Sequence, residues 1–389
     1  MSTVLLGWEL GGGLGHVGAL LAVARRLWEH GHAPVLALKD LIEPLPILRR
    51  ESFPVVQAPV WTGGSPSNFA AASYADILAI RGYADADGLE ALVGGWQKLI
   101  ELTRAELVVC ESAPTLVLAA YGGTPALAME NGFHAPPSHL PAFPTLHAAA
   151  APVVPAEVLL DCVREVQRRR GRRSPSTLPG LFGEAHRFVR TFPETDPYRD
   201  VRPKPADGPL CQLPGPLAPP TGRSTFYAYL AADYPGADLL FPHLAAAGHR
   251  GGVFLRNASP ALLDVIRGAG IEVQETLLPL HEACTRAAVV IHHGSLGAAE
   301  AALAAGRPQL SLPRHMEHEY TGRALEDLGV GLSLTGRLSL QDVEHALSRL
   351  LTEPAFAARA MALAHEVRAR LPGECLTAIV DCCLRLLAA

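Results

Sequence analysis

Two rhythms of apolar and polar positions alternate along this chain. Short unbroken apolar runs read as buried strands, and stretches with an apolar residue every three or four positions read as helices. In the first half the strands are Thr3 to Trp8, Pro34 to Leu38, Phe53 to Gln57, Glu106 to Cys110 and Thr124 to Met129. A helix from about His16 to His30 carries Val17, Leu20, Leu21, Ala24 and Leu27 on one face and stops at Gly31. Further helices are predicted over Gly88 to Thr103 and Ala113 to Tyr121. The second half repeats the rhythm, with strands Ser224 to Leu230, Gly251 to Leu255, Ile271 to Val273, Ala288 to Ile291 and Leu310 to Leu312. Its helices are Gly236 to Ala247, Pro260 to Gly268, Ser295 to Ala305, Glu317 to Leu328, Ser339 to Leu351 and Ala355 to Arg370. Such alternation predicts an α/β protein with two doubly wound, Rossmann-like parallel-sheet domains.

Residues 1–200 form the first expected domain, a Pro-rich stretch over 201–223 the linker, and 224–373 the second domain; a last helix in 374–389 is free to cross back to the first. Two irregular stretches interrupt the first domain. One runs from Ala58 to Ser73 and holds Trp61, Pro66 and Asn68; the other runs from Asn131 to Pro144 and holds Phe133, His134 and four prolines. Loops at the C-terminal ends of parallel strands are where ligands meet such sheets.

The most informative segment is Val290-Ile-His-His-Gly-Ser-Leu-Gly-Ala-Ala-Glu300 and the Ala-rich helix it opens. A strand, a Gly-containing turn and a helix start make an anion site, because N–H groups and the helix dipole converge there. Ser295 is the expected N-cap, His293 stands at the mouth, and Glu300 lies a turn further on. An ordinary strand–helix crossover with a buried Glu is the plain alternative, but Glu is rarely set amid alanines without a partner.

Residues 291–331 resemble the donor-binding signature of GT-B glycosyltransferases of the GT1-like, UDP-glycosyltransferase superfamily. His293, Gly294, Gly297, Glu300, Gly306, Pro308 and Pro313 fall in its register, and Glu317-His318 takes the place of its acidic-Gln pair. The resemblance implies that His293, Gly294 and Ser295, with the backbone of Leu296, Gly297, Ala298 and Ala299, hold a diphosphate. It implies Glu300 for the ribose, and Glu317 and His318 for sugar hydroxyls. Ser295 replaces a Gly, Ala298 a Thr, and His318 the Gln of the signature. The implied architecture is two domains facing across a cleft.

Gly13-Leu-Gly-His-Val-Gly18 satisfies the dinucleotide fingerprint after a strand, with Asp40 beyond the second strand. An imidazole at the helix start, however, crowds a loop that must lie bare against a pyrophosphate. The resemblance gives His16 another role, the general base of inverting members, oriented by a carboxylate after a central strand. Glu111, at the end of Leu107-Val-Val-Cys-Glu111, is the candidate partner, with Glu9 a second possibility. An imidazole titrating near ~6.5 suits removal of a hydroxyl proton. Trp61, Phe133 and His134 are then expected to line the acceptor pocket, although local loop packing explains the aromatic residues equally well.

Bulk properties bound the function further. The chain has 389 residues, 49% apolar and 18% charged, with a net charge of -5, which argues against nucleic acid as the main partner. Seven cysteines show neither metal nor disulfide spacing, no basic leader opens the chain, and no apolar run approaches a membrane span. A cytoplasmic enzyme without cofactor or metal is expected. Only Lys39, Lys98 and Lys204 are lysines, a bias of GC-rich bacterial genomes. Arg168-Arg-Arg-Gly-Arg-Arg173 reads either as a basic patch for a membrane surface or as a solvated helix end.

The expected function is transfer of a sugar from a UDP- or dTDP-sugar to a small-molecule, lipid or glycan acceptor. Three alternatives stand beside it: a GT-B sugar-nucleotide epimerase, an NAD-dependent Rossmann oxidoreductase, and a catalytically inactive GT-B partner protein.

Overall fold

A computed structural model of the chain describes residues 1–64, 69–210, 213–218, 226–276, 278–370 and 374–389. The chain forms two compact units, Met1–Cys211 with Gly373–Ala389, and Gln212–Pro372. In the first unit the strands are β1 (Thr3–Trp8), β2 (Ala33–Leu38), β3 (Val55–Gln57), β4 (Leu107–Glu111), β5 (Ala126–Glu130) and β6 (His186–Val189). Its helices are α1 (Leu14–Glu29), α2 (Leu45–Leu48), α3 (Tyr74–Leu78), α4 (Ala86–Thr103), α5 (Pro114–Ala120) and α6 (Ala156–Arg169). The second unit has β7 (Phe226–Ala231), β8 (Gly251–Arg256), β9 (Glu272–Val273), β10 (Val289–His292), β11 (Gln309–Ser311) and β12 (Gly331–Ser333). Its helices are α7 (Ala237–Ala246), α8 (Pro260–Gly268), α9 (Leu280–Arg286), α10 (Leu296–Ala304), α11 (Met316–Asp327), α12 (Leu340–Thr352) and α13 (Pro354–Arg370); α14 (Cys375–Ala388) belongs to the first unit.

Both sheets are parallel among the described residues, ordered β3-β2-β1-β4-β5-β6 and β12-β11-β10-β7-β8-β9. These are two copies of the doubly wound Rossmann order, and each reverses direction between its two central strands. The period of two along a strand explains the near-continuous apolar runs. In β1, Leu5 faces a core shared with Leu89, Val93 and Trp96 of α4 and Leu159 and Val163 of α6. Val4 and Leu6 face the opposite core, with Leu20, Ala24 and Leu27 of α1 and Ile379 and Cys383 of α14. The second sheet is covered likewise by Leu240, Phe241 and Leu244 of α7 and Val343, Leu347 and Leu350 of α12.

Most sequence-predicted elements lie within about two residues of the observed ones. Six were not predicted: α2, α3, β6, α6, α9 and β12. β6 is a short edge strand, His-Arg-Phe-Val, with only Val189 fully buried, so it lacks an apolar run. The predicted linker also begins too early. Asp207 Oδ2 accepts from the Val189 N–H at 2.7 Å and Leu210 is buried in the α1-side core, so the first ten residues of 201–223 pack in the first unit. Residues 211–212 and 219–225 of the expected linker and following strand, and Pro66 and Asn68 of the expected acceptor loop, lie outside the described residues.

The arginine run is structural. Arg169 pairs with Asp87 and Glu90 of α4, Arg170 donates to Ala119 O at 2.8 Å, Arg172 to Gly122 O at 2.8 Å, and Arg173 pairs with Glu184 at 2.9 Å. These bonds tie the end of α6 to its neighbours and replace the patch reading.

Helix α14 depends on its apolar face. Ile379→Ala should cost about 2–5 kcal/mol of stability, as truncation of a fully buried aliphatic residue does, measurable by denaturant unfolding.

Candidate active site

Ligands of doubly wound sheets sit outside the C-terminal strand ends at the switch point. In the first unit that point lies between β1 and β4, and both strands end in acids: Glu9 follows β1 and Glu111 closes β4. A glycine loop leads from Glu9 into α1. Leu10 N–H donates to Ser112 O at 2.8 Å, Trp8 Nε1 to Leu10 O at 2.5 Å, and Lys39 Nζ to Gly11 O, so the loop is held from three sides. Gly11 has φ +80 and Gly13, the N-cap of α1, has φ +89, conformations open to glycine.

His16 thereby stands at the start of α1, with its ring stacked on Trp8 at 5.2 Å and 14°. Its Nδ1 lies 2.7 Å from Glu111 Oε1, and the carboxylate is fully buried. An acceptor-only carboxylate requires Nδ1 to carry the proton, which leaves Nε2 as the basic nitrogen. Nε2 faces Gly11, where a Cβ would come within 2.5 Å of it. Glycine at that position therefore lets the imidazole lie close against the loop.

Glu111 is gripped from its other side by Arg190, which donates through Nε to Oε2 at 3.1 Å and through Nη2 to Oε1. Burial raises the Glu111 carboxyl, but Arg190 and His16 outweigh burial and hold it below its ordinary value. Glu9 does not orient His16. Its carboxylate accepts from the Thr115 N–H at 2.9 Å and the Thr115 hydroxyl, capping the start of α5. Arg190 follows β6, the strand invisible in the sequence, and so escaped the sequence reading.

His134 meets the His16 ring edge-on at 6.4 Å, and Phe133 meets His134 at 5.4 Å, so these two expected acceptor residues do lie beside the dyad. Trp61 is placed differently. A Cβ on Gly82 or Gly88 would come within 2.7 Å of its ring, so the indole packs over those glycines as a loop anchor.

In the second unit the switch point lies between β7 and β10. Gly294 has φ +94, and a Cβ there would sit 2.6 Å from His318 O, so only glycine lets the β10–α10 turn close against α11. His293 stacks on His318 at 6.2 Å and 11°, and the His315 and His318 ring centroids are 3.6 Å apart. Glu300 is buried one turn into α10, and Glu317 lies in the first turn of α11. The expected donor residues thus converge on one turn.

Two of their expected roles change. His293 Nδ1 donates to Leu312 O at 2.9 Å and Nε2 accepts the Ala231 N–H at 2.9 Å, so the ring has no N–H left for a phosphate. It is a strut between the ends of β7 and β11. The Gly294 N–H likewise donates to His292 Nδ1 at 2.8 Å. What the turn leaves without a partner inside the helix is main chain, the first-turn N–H groups of α10 from Ser295 to Ala298. Ser295 occupies the N-cap position, but its side chain makes no capping bond.

Comparison with known proteins agrees with this geometry. Residues 265–383 match the family model described as erythromycin biosynthesis protein CIII-like, C-terminal domain. The glycosyltransferase GtfC of Amycolatopsis orientalis is 39% identical over 84 residues, 22% of this chain and 20% of the relative. The aligned stretch thus spans a fifth of that relative. Over nearly the whole chain the fold matches the glycosyltransferase SnogD from Streptomyces nogalater, with a TM-score of 0.63, 20% identity and 98% and 99% of the two chains covered. It also matches the spinosyn rhamnosyltransferase SpnG complexed with thymidine diphosphate, with a TM-score of 0.63, 17% identity and 95% and 96% covered.

Over nearly its whole length the chain has the GT-B fold of these glycosyltransferases.

The dinucleotide alternative fails on this GT-B protein's own geometry. The third glycine of that fingerprint packs helix against strand, but Gly18 is exposed, and a Cβ there would meet nothing within 4 Å. Asp40 Oδ1 accepts from the Ile42 N–H at 2.7 Å and shapes a turn instead of awaiting a ribose.

Two buried acids make the stability of this GT-B protein pH-dependent. Burial pushes the Glu9 carboxyl up to about 7 against the pull of its Thr115 bonds. Burial likewise pushes Glu130 to about 7 against Arg187, 3.6 Å away. A carboxyl raised in the folded state stabilises below its unfolded value near 4.5, and that stability is lost as pH rises through about 7. Stability should therefore fall from pH 5 to pH 8, by up to about 1.4 kcal/mol per pH unit for each group. Denaturant unfolding across that range should show a flatter slope for Glu9→Gln and for Glu130→Gln.

Proposed function

We infer that the protein transfers a sugar from a dTDP- or UDP-sugar to a hydroxyl of a small-molecule acceptor, with inversion and without a metal. The observation that carries this is the His16–Glu111 pair at 2.7 Å, which leaves Nε2 as the basic nitrogen. Nε2 takes the proton of the acceptor hydroxyl while its oxygen attacks the anomeric carbon. The bond from that carbon to the diphosphate breaks, and the imidazolium that forms is stabilised by ionised Glu111. The leaving diphosphate gains charge as the bond breaks, and the first-turn N–H groups of α10 offset it. Buried Glu300 supports a ribose contact, and Glu317 and His318, on the helix that closes over Gly294, support contacts to the sugar.

Phe133 and His134, next to His16, support an acceptor held by ring faces. The dTDP donor is favoured first because the SpnG structure is complexed with thymidine diphosphate. A natural-product acceptor goes with the family model's name. Among the described residues no helix is long and apolar enough to cross a membrane. A cytoplasmic location is part of this reading.

Thermal unfolding with dTDP, UDP, GDP and NAD tests the donor site. A nucleotide at 100 times its dissociation constant adds about 2.7 kcal/mol. dTDP or UDP should stabilise the wild type, while Glu300→Ala and Gly294→Ala should lose most of that shift. Stabilisation by NAD alone would sink the reading. In transfer assays His16→Ala should lower kcat by about 10²–10⁴, the range of a lost general base. Donor conversion without any acceptor would instead identify an epimerase.

A further inference from the structure

β6 ends at Val189, and the next residue turns a guanidinium back across two strand ends. The Arg190 N–H donates to Glu130 O at 2.9 Å, which extends the β5–β6 ladder by one residue and fixes the Arg190 backbone. From there Nε reaches Glu111 Oε2 at 3.1 Å and Nη2 reaches Oε1. Oε1 is also the atom that meets His16 Nδ1 at 2.7 Å. The carboxylate is fully buried, and the Arg190 side chain is only 13% exposed.

A fork that holds both oxygens fixes the carboxylate plane as well as its charge, which a single contact does not. Glu111 needs that restraint. The resemblance to GT-B enzymes implies an Asp as the partner of the base, and Glu has one more rotatable bond. We propose that Arg190 is a positioning residue for sugar transfer. It holds Glu111 ionised and in plane, so that His16 is fixed with Nδ1 as donor and Nε2 as base. The proposal rests on His16 being the base.

The charges around the pair show why a cation is required. Glu111 is faced by His16 from α1, Arg190 after β6 and Glu130 at the end of β5, while the Glu9 carboxylate after β1 is bonded to Thr115. Arg187 lies 3.6 Å from Glu130, His134 meets the His16 ring edge-on, and Lys39 sits over the Trp8 ring on which His16 stacks. Glu130 opposes a negative Glu111, and Arg190 is the guanidinium in direct contact with it. Without Arg190 the uncompensated carboxylate draws a proton to the His16–Glu111 pair. The pair then stays protonated to higher pH, whichever atom carries the proton.

The test is an NMR titration of the pair, read at the His16 ring and assigned by its loss in His16→Ala. In Arg190→Met and Arg190→Gln the midpoint should rise by about one pH unit. Arg190→Lys should bring it back toward wild type. The acid limb of kcat against pH should move with it, kcat near neutrality should fall at least about ten-fold, and the donor KM should stay within about two-fold. Two neutral variants are used so that one that fails to fold does not decide the matter. A wild-type midpoint in a folded neutral variant overturns the role of Arg190 and leaves the base reading standing. Transfer at wild-type rate by His16→Ala removes the base reading, and the transfer role of Arg190 with it.

Discussion

An ionised carboxylate at the buried end of a central strand is the constraint around which the first unit is arranged. Glu111 closes β4 with no exposed surface, and an isolated charge there would be untenable. His16 from α1 and Arg190 from beyond β6 meet it on both sides, so elements far apart in sequence are tied to one oxygen pair. Breaking such a pair by removing one partner typically costs about 3–5 kcal/mol, because the other charge stays buried. The glycine loop follows from the same demand. His16 reaches Glu111 only if the chain between β1 and α1 passes close beneath the ring, and Gly11 allows that approach.

The second unit reaches a comparable arrangement by different means. Histidines act there as neutral struts: His292 links the Gly294 N–H to Gln309, and His293 links β7 to β11. Burial lowers His292 to about 4, and burial with neighbouring His315 lowers His318 to about 3, so both rings are neutral near pH 7. These neutral struts hold the turn that opens α10, whose N-terminus carries positive potential. That suits a dianionic leaving group, because the N–H groups are fixed before charge develops.

The departures of this chain from the superfamily's donor signature are accordingly less disruptive than their number suggests. Ala298 lacks a hydroxyl, but the first-turn main chain remains. His318 replaces an amide, but its backbone carbonyl closes on Gly294 and its ring stacks on His293. What such changes alter is the side chains lining the turn, while its main chain is preserved.

The sequence by itself determined the two-sheet α/β architecture, most elements to within about two residues, the glycine turn at Gly294 and the pairing of His16 with Glu111. These are local properties: apolar periodicity, glycines at sharp turns, and acids at strand ends. Only the tertiary structure decided the rest. It placed Arg190 on the dyad, assigned Glu9 to Thr115, moved Trp61 onto Gly82 and Gly88, and engaged both nitrogens of His293 with main chain. It also dissolved the arginine run into helix-tethering bonds. Each of these depends on which strand lies beside which and on where a long side chain finds an acceptor. No periodicity records that, since the partners are joined by the fold and not by spacing along the chain.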